Sequence, residues 1–186
     1  LSKLSLHGKF FLKEGLPEFV QAFQQKKPNA LILLAQVLHP EEFGVVELAA
    51  DGQVKRLLEK PKTFVSDLAL VGVYLFDQHI FKAVNALRPS HRGELEITDA
   101  IQWLLDQGFG VAAHRVSGWW KDTGKPEDLL EANQLILESL PAGNLGQVDQ
   151  ASRLDGRVFL GEGSHVEKST LRGPVLIGKN AQIKNA

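Results

Sequence analysis

The sequence predicts an α/β protein followed by a repetitive C-terminal part. Up to about residue 141, apolar runs of strand length alternate with segments of helical periodicity, the pattern of an α/β layer structure. Beyond that point the apolar residues recur at a spacing of six, the signature of a parallel β-helix. The composition, 44% hydrophobic and 23% charged, is that of a folded chain.

Residues 16–27 open the α/β part. Leu16, Phe19, Val20 and Phe23 fall at i, i+3, i+4 and i+7, one helical face, and Pro28 with Asn29 closes it. Residues 30–37 are dominated by apolar side chains, as in a strand covered on both faces. Gly44–Leu48 and residues 54–58 flank Asp51-Gly52, a hairpin signal. Leu68–Phe76 is a further strand, rich in β-formers. Asp77 reads as the N-cap of a helix over 80–87, with Pro89 after it. Thr98 or Asp99 reads as the cap of another helix, running through Leu105 and ended by Gly108. Residues 110–116 form a short strand and 117–124 a loop. Pro126 starts a last helix, with Leu129, Leu130, Ala132, Leu135, Ile136 and Leu137 as its apolar positions and Pro141 just past its end. The expected domains are therefore 1–141 and 142–186.

In the second domain Leu154, Leu160 and Val166 are six apart, and so are Leu171, Ile177 and Ile183, with a one-residue slip between the two series. Gly161-Glu162-Gly163-Ser164 and Gly178-Lys179-Asn180-Ala181 follow their apolar residues in the same way. No such turn buries its inward face alone, so stacking is required. His165, the histidine of this tail, is expected at an exposed corner.

The formal net charge of −1 gives no strong field toward nucleic acid or an anionic membrane. The absence of cysteine excludes disulfides, thiolate metal sites and cysteine nucleophiles. The apolar runs are too short to span a bilayer. The sequence contains no Met and begins with Leu, and residue 1 is expected not to be the native start.

Four short segments carry candidate chemistry. Glu59-Lys60-Pro61 ends a predicted strand; its ammonium suits a phosphate and its carboxylate suits sugar hydroxyls, while a plain edge-of-sheet ion pair is the alternative. In Trp119-Trp120-Lys121-Asp122-Thr123-Gly124 the carboxylate suits a hard cation such as Mg²⁺, or caps the next turn. The tryptophans read as core or as an apolar wall for a ligand. Within Arg92-Gly93-Glu94-Leu95-Glu96-Ile97-Thr98-Asp99, three acidic residues gather at a helix N-terminus, where the helix dipole alone favours them. Phe43-Gly44-Val45-Val46 places a glycine where backbone can approach a ligand, or simply turn.

Taken together and in this order, with 67–77 between them, these segments resemble the sugar-1-phosphate nucleotidylyltransferases, and most closely the long form of glucose-1-phosphate thymidylyltransferase. The resemblance runs from about Leu12 onward. It implies part of a Rossmann-like nucleotidyltransferase domain, a mixed sheet with flanking helices, followed by the start of a left-handed parallel β-helix. It implies transfer of a nucleotidyl group from a nucleoside triphosphate, dTTP in the nearest match, to a sugar 1-phosphate, glucose 1-phosphate in the nearest match. Pyrophosphate leaves, and Mg²⁺ assists. By the same resemblance Lys60 binds the sugar phosphate, Glu59 contacts sugar hydroxyls, and Gly44 and Gly72 offer backbone contacts. Glu94 lies near the sugar pocket, and Asp122 is one of two metal-binding aspartates. The implied setting is cytoplasmic, with a homo-oligomer for the full-length protein and neither nucleic acid nor membrane as partner.

Two departures qualify the resemblance. The Gly-rich triphosphate loop with which the family begins has no counterpart here. Where the family has Gly-Asp-Asn, the aligned stretch here reads Gly8-Lys9-Phe10 and would put Lys9 in place of the other metal aspartate, where an ammonium repels Mg²⁺. Either residues 1–10 are not native sequence, or this copy is inactive, or the alignment slips there. The chain is accordingly expected to be truncated at both ends and inactive alone. The alternatives are a non-catalytic regulatory or scaffold subunit and, from the tail, a hexapeptide acyltransferase. Lys60, Glu59 and Asp122 are expected to share one cleft at the carboxyl ends of the sheet strands.

Overall fold

The structure is a computed structural model and describes residues 3–6, 10–12 and 16–186. It forms two compact units, divided between Gly124 and Lys125. The division falls before the helix that the sequence reading had placed at the end of the first domain.

The elements of the first unit are β1 (Lys3–Leu6), β2 (Phe10–Leu12), α1 (Leu16–Lys26), β3 (Ala30–Gln36), β4 (Gly44–Leu48), β5 (Val54–Glu59), β6 (Leu68–Phe76), α2 (Ile80–Ala86), α3 (Ile97–Asp106), β7 (Val111–Arg115) and β8 (Trp120–Asp122). The sheet order is β5-β4-β6-β3-β7, with β1 also on β6. β3 and β7 run parallel, whereas β6 is antiparallel to β3, β4 and β1. The sheet is thus mixed. β2 and β8 pair separately, with Phe10 opposite Asp122.

β3 shows why its apolar run is nearly continuous. Ala30, Ile32 and Leu34 pack on one face with Leu70, Tyr74 and Phe76 of β6 and with Ile80, Ala83, Ala100, Ile101 and Leu104 of α2 and α3. Leu31 and Leu33 pack on the other face with Val71, Val73 and Leu75, covered by Phe19 and Phe23 of α1. Successive strand side chains point to opposite faces, so a strand covered on both must be apolar throughout. Phe19 and Leu31 to Leu34 are all within 1% of full burial.

Two caps differ from expectation. The N-cap of α2 is His79, and Asp77 accepts its N–H at 2.8 Å from two residues earlier. The N-cap of α3 is Glu96, so Thr98 and Asp99 lie inside the first turn. The Thr98 hydroxyl is drawn to another partner, the Glu59 carboxylate. A charged acceptor forms the stronger hydrogen bond.

The second unit contains α4 (Pro126–Ser139), β9 (Gly143–Asn144), β10 (Gln147–Val148), β11 (Arg153–Asp155), β12 (Val158–Leu160), β13 (His165–Glu167), β14 (Thr170–Arg172), β15 (Val175–Ile177) and β16 (Gln182–Lys184). The strands form three short parallel sheets, β10-β13-β16, β11-β14 and β9-β12-β15. Leu154 pairs with Leu171, Leu160 with Ile177 and Val166 with Ile183, so the two six-residue series stand directly against each other. These residues share one apolar cluster with Val148, Val158 and Val175. His165 is not at a corner: it opens β13, half-buried, between Gln147 and Gln182.

Candidate active site

The site begins at the open end of the β4–β5 hairpin. Gly44, the first residue of β4, pairs with Glu59, the last of β5. The chain then turns sharply: Lys60 adopts φ 40° and donates its N–H to the Phe43 carbonyl at 3.0 Å. A non-glycine residue in the left-handed region is disfavoured and persists only where the surroundings hold it. Here the backbone hydrogen bond and Pro61 fix Lys60 directly beyond the strand.

Gly44 is buried, and a Cβ there would meet Thr98 Cγ2 at 2.6 Å and Glu59 Oε2 at 2.9 Å. The glycine lets those two side chains close over the strand. Gly72 serves differently. Between Ile32↔Tyr74 and Leu34↔Leu70 the β3–β6 ladder slips, and Gly72 sits in the slipped stretch at φ 79°. A bulge of this kind turns backbone amides out of the ladder.

Glu59 is the electrostatic centre. Its Oε2 accepts from Thr98 Oγ1 at 3.1 Å, and its Oε1 lies 3.5 Å from Arg92 Nη1. Burial pushes its carboxyl above the usual range; the Thr98 hydrogen bond opposes this, nearby Glu96 adds to it, and Lys60 and Arg92 oppose it. Arg92 also meets Glu94 at 3.1 Å and Glu96 at 3.5 Å. Burial and Glu96 raise Asp99 as well. Burial raises the Tyr74 phenol, and Glu59 adds to the effect.

Across from these, Trp120 packs edge-on against Phe43, with ring centroids 5.6 Å apart. Its Nε1 is the one buried side-chain polar atom among the described residues without a hydrogen-bond partner. Asp122 ends β8. The helix that follows has Lys125 as its N-cap, so Asp122 does not cap it.

Gly44, Glu59, Lys60, Gly72, Glu94 and Asp122 all line one cavity of about 580 Å³. Phe43, Tyr74, Glu96, Thr98 and Trp120 line it too. Glu59, Lys60 and Asp122 thus line one cleft, and strand ends are only part of what forms it. Glu59 and Asp122 end their strands, but Gly44 begins one and Gly72 lies mid-strand. In a mixed sheet, strand beginnings and strand ends share an edge. Lys9 lies outside the described residues. Among the described residues no group of three His, Asp or Glu side chains is placed to hold a metal ion.

Sequence reasoning assigned no site role to Arg92, Glu96 or Thr98. The available signal was Thr98, a polar residue on the apolar stripe of α3 beside Ile101. The link from Arg92 to Glu59 joins residues far apart in the chain and leaves no local trace.

A family profile described as nucleotidyl transferase matches residues 3–139. The chain belongs to the nucleotidyl transferase family. Among curated proteins, this nucleotidyl transferase chain is 47% identical to a glucose-1-phosphate thymidylyltransferase of Streptomyces griseus, over 96% of this chain and 50% of that protein. It is also 47% identical to the low-salt glycan biosynthesis nucleotidyltransferase Agl11 of Haloferax volcanii, over 83% of this chain and 43% of that protein. Among solved structures, a Bacillus anthracis protein described as a glucose-1-phosphate thymidylyltransferase, in complex with a sucrose, superposes with a TM-score of 0.66 at 34% identity. That match covers 77% of this chain and 57% of the other. The chain spans about half the length of the curated relatives it matches.

Proposed function

We propose that this chain is the sugar-phosphate-binding half of an enzyme that transfers a nucleotidyl group from dTTP to glucose 1-phosphate, releasing pyrophosphate. The observation that carries the reading is the convergence of Gly44, Glu59, Lys60, Gly72, Glu94 and Asp122 on one cleft. A phosphate oxygen of the sugar phosphate forms a bond to the α-phosphorus as the bond to the bridging oxygen of the β-phosphate breaks. The protein's part in such a transfer is mainly positioning and charge compensation.

Lys60, fixed by its backbone turn, presents an ammonium to the sugar phosphate. Glu59 accepts hydrogen bonds from sugar hydroxyls. Gly44 and Gly72 admit the ring close to backbone, and Trp120 forms an apolar wall with Phe43. Mg²⁺ fits this cleft in one respect: Asp122 supplies one carboxylate, and Mg²⁺ is commonly held by one or two carboxylates plus substrate phosphates. Bound there, the ion would neutralise charge on the transferring phosphate.

The three parallel sheets of the second unit read as the start of a left-handed β-helix, through which the full-length protein assembles as a homo-oligomer in the cytoplasm. A non-catalytic scaffold subunit is the second reading, favoured by Lys9 where the family has an aspartate.

Two measurements on the 186-residue chain test the proposal. Calorimetry should detect glucose 1-phosphate binding that Lys60→Ala weakens. A pyrophosphate-release assay with dTTP, glucose 1-phosphate and Mg²⁺ should show no turnover, because the chain carries no triphosphate loop. Failure to bind glucose 1-phosphate would remove the sugar-site reading, and turnover would remove the claim that this half is inactive alone.

A further inference from the structure

Glu96 is a buried residue, 8% exposed, and it is the N-cap residue of α3, yet its side chain makes no capping hydrogen bond. Its Oε1 instead accepts from Ser90 Oγ at 3.0 Å and lies 3.5 Å from Arg92 Nη1. The same Arg92 nitrogen lies 3.5 Å from Glu59 Oε1, so one guanidinium nitrogen bridges two carboxylates. Ser90 closes the loop around this bridge. Its Oγ accepts the Arg92 N–H at 3.1 Å, its N–H donates to the Glu94 carbonyl at 2.8 Å, and its carbonyl accepts from Gly93 at 2.9 Å. The other oxygen of Glu59 is held by Thr98, two residues beyond Glu96. One segment, 90–98, therefore fixes both oxygens of Glu59.

Burying a carboxylate is costly unless it is paired, and this one satisfies no helix N–H. Its pairing is directed wholly at Ser90 and Arg92. We propose that Glu96 is a positioning residue for sugar recognition, acting through Arg92 to hold the Glu59 carboxylate toward the ligand's hydroxyls. The inference rests on the sugar-phosphate reading of the cleft. It separates two parts of one ligand: Lys60 serves the phosphate, and the chain Ser90–Glu96–Arg92–Glu59 serves the sugar ring.

Calorimetric titration of the 186-residue chain with glucose 1-phosphate and, separately, with inorganic phosphate tests this. Glu96→Ala should weaken glucose 1-phosphate binding roughly tenfold, the scale of one lost charge-assisted hydrogen bond, while phosphate affinity stays within about twofold. Glu96→Gln keeps an oxygen that accepts from Ser90 and Arg92, and should return glucose 1-phosphate affinity to within about threefold of the parent. If Glu96→Ala does not fold, Ser90→Ala removes only a hydroxyl and should show the same selective loss at about threefold. Lys60→Ala should weaken both ligands. Equal losses for both ligands in Glu96→Ala, or none for either while Lys60→Ala weakens both, would overturn the positioning role. If the parent binds neither ligand, or Lys60→Ala changes neither, the sugar-phosphate reading falls and takes this inference with it.

Discussion

In the first unit β3 sends Ile32 and Leu34 to one face of the sheet and Leu31 and Leu33 to the other, and helices cover both. In the second unit each strand contributes one or two inward residues to a narrow stack, and only Val158, Leu160 and Val166 are fully buried within it. The two cores differ in the charged groups they hold. The first unit buries enough apolar surface to hold Glu59, Glu96 and Thr98 half or fully out of water at the edge of its sheet. The second buries the neutral residues Ser164 and Ser169, but its charged Glu162–Lys179 and Glu167–Lys184 pairs stay on the surface. A deep core is what makes room for a site whose charges are costly to keep.

The sharpest way to break this comparison is to hollow out each core. Phe19→Ala removes a fully buried ring and should destabilise the first unit by about 3–5 kcal/mol, read from denaturant unfolding. Leu160→Ala should cost toward the low end of about 2–5 kcal/mol, because a narrow stack collapses more easily around the gap. Hydrogen exchange should confine that loss to residues 125–186. Protection lost equally in both units would show that their stabilities are not separate.

The polar edge is probed by binding. Lys60→Ala should lose roughly ten- to hundredfold in glucose 1-phosphate affinity, as removal of about 1.5–3 kcal/mol of charged hydrogen bonding implies. Unchanged affinity would make Lys60 a solvated strand-end charge.

Glu59 links site and stability. Since burial raises its folded pKa above 4.5, the folded chain holds this proton more tightly than the unfolded chain. Its contribution thus favours folding at low pH and is lost as pH rises through the folded pKa. Glu59→Gln should accordingly raise Tm at pH 7, a gain that fades as the pH falls below about 4.5, while glucose 1-phosphate binding weakens. A lower Tm at pH 7 would mean that its partners outweigh its burial. The smallest effect is expected at Lys179→Ala, whose pair with Glu162 is about three-quarters exposed on both sides: about 0–1 kcal/mol, diminishing with salt.

By itself the sequence marked most of the elements, though not β8 within the expected loop over 117–124, and several of the residues that line the cleft. Periodicity marked α1 and the stacked series from Leu154 to Ile183, because the repeat of side-chain direction is a local property, and apolar runs of strand length marked β3 and β6. Local chemistry marked Glu59, Lys60 and Asp122 as candidates and the family resemblance singled out Glu94, and the fold gathers all four into one cleft. Tertiary structure alone decided the rest. It made the sheet mixed, so that the start of β4 and the end of β5 share the cleft edge. It took Thr98 from its expected capping role and turned its hydroxyl to Glu59, and it joined Arg92 to that same carboxylate. Those bonds depend on through-space distances between segments remote in sequence, and such distances exist only once the sheet and α3 have packed.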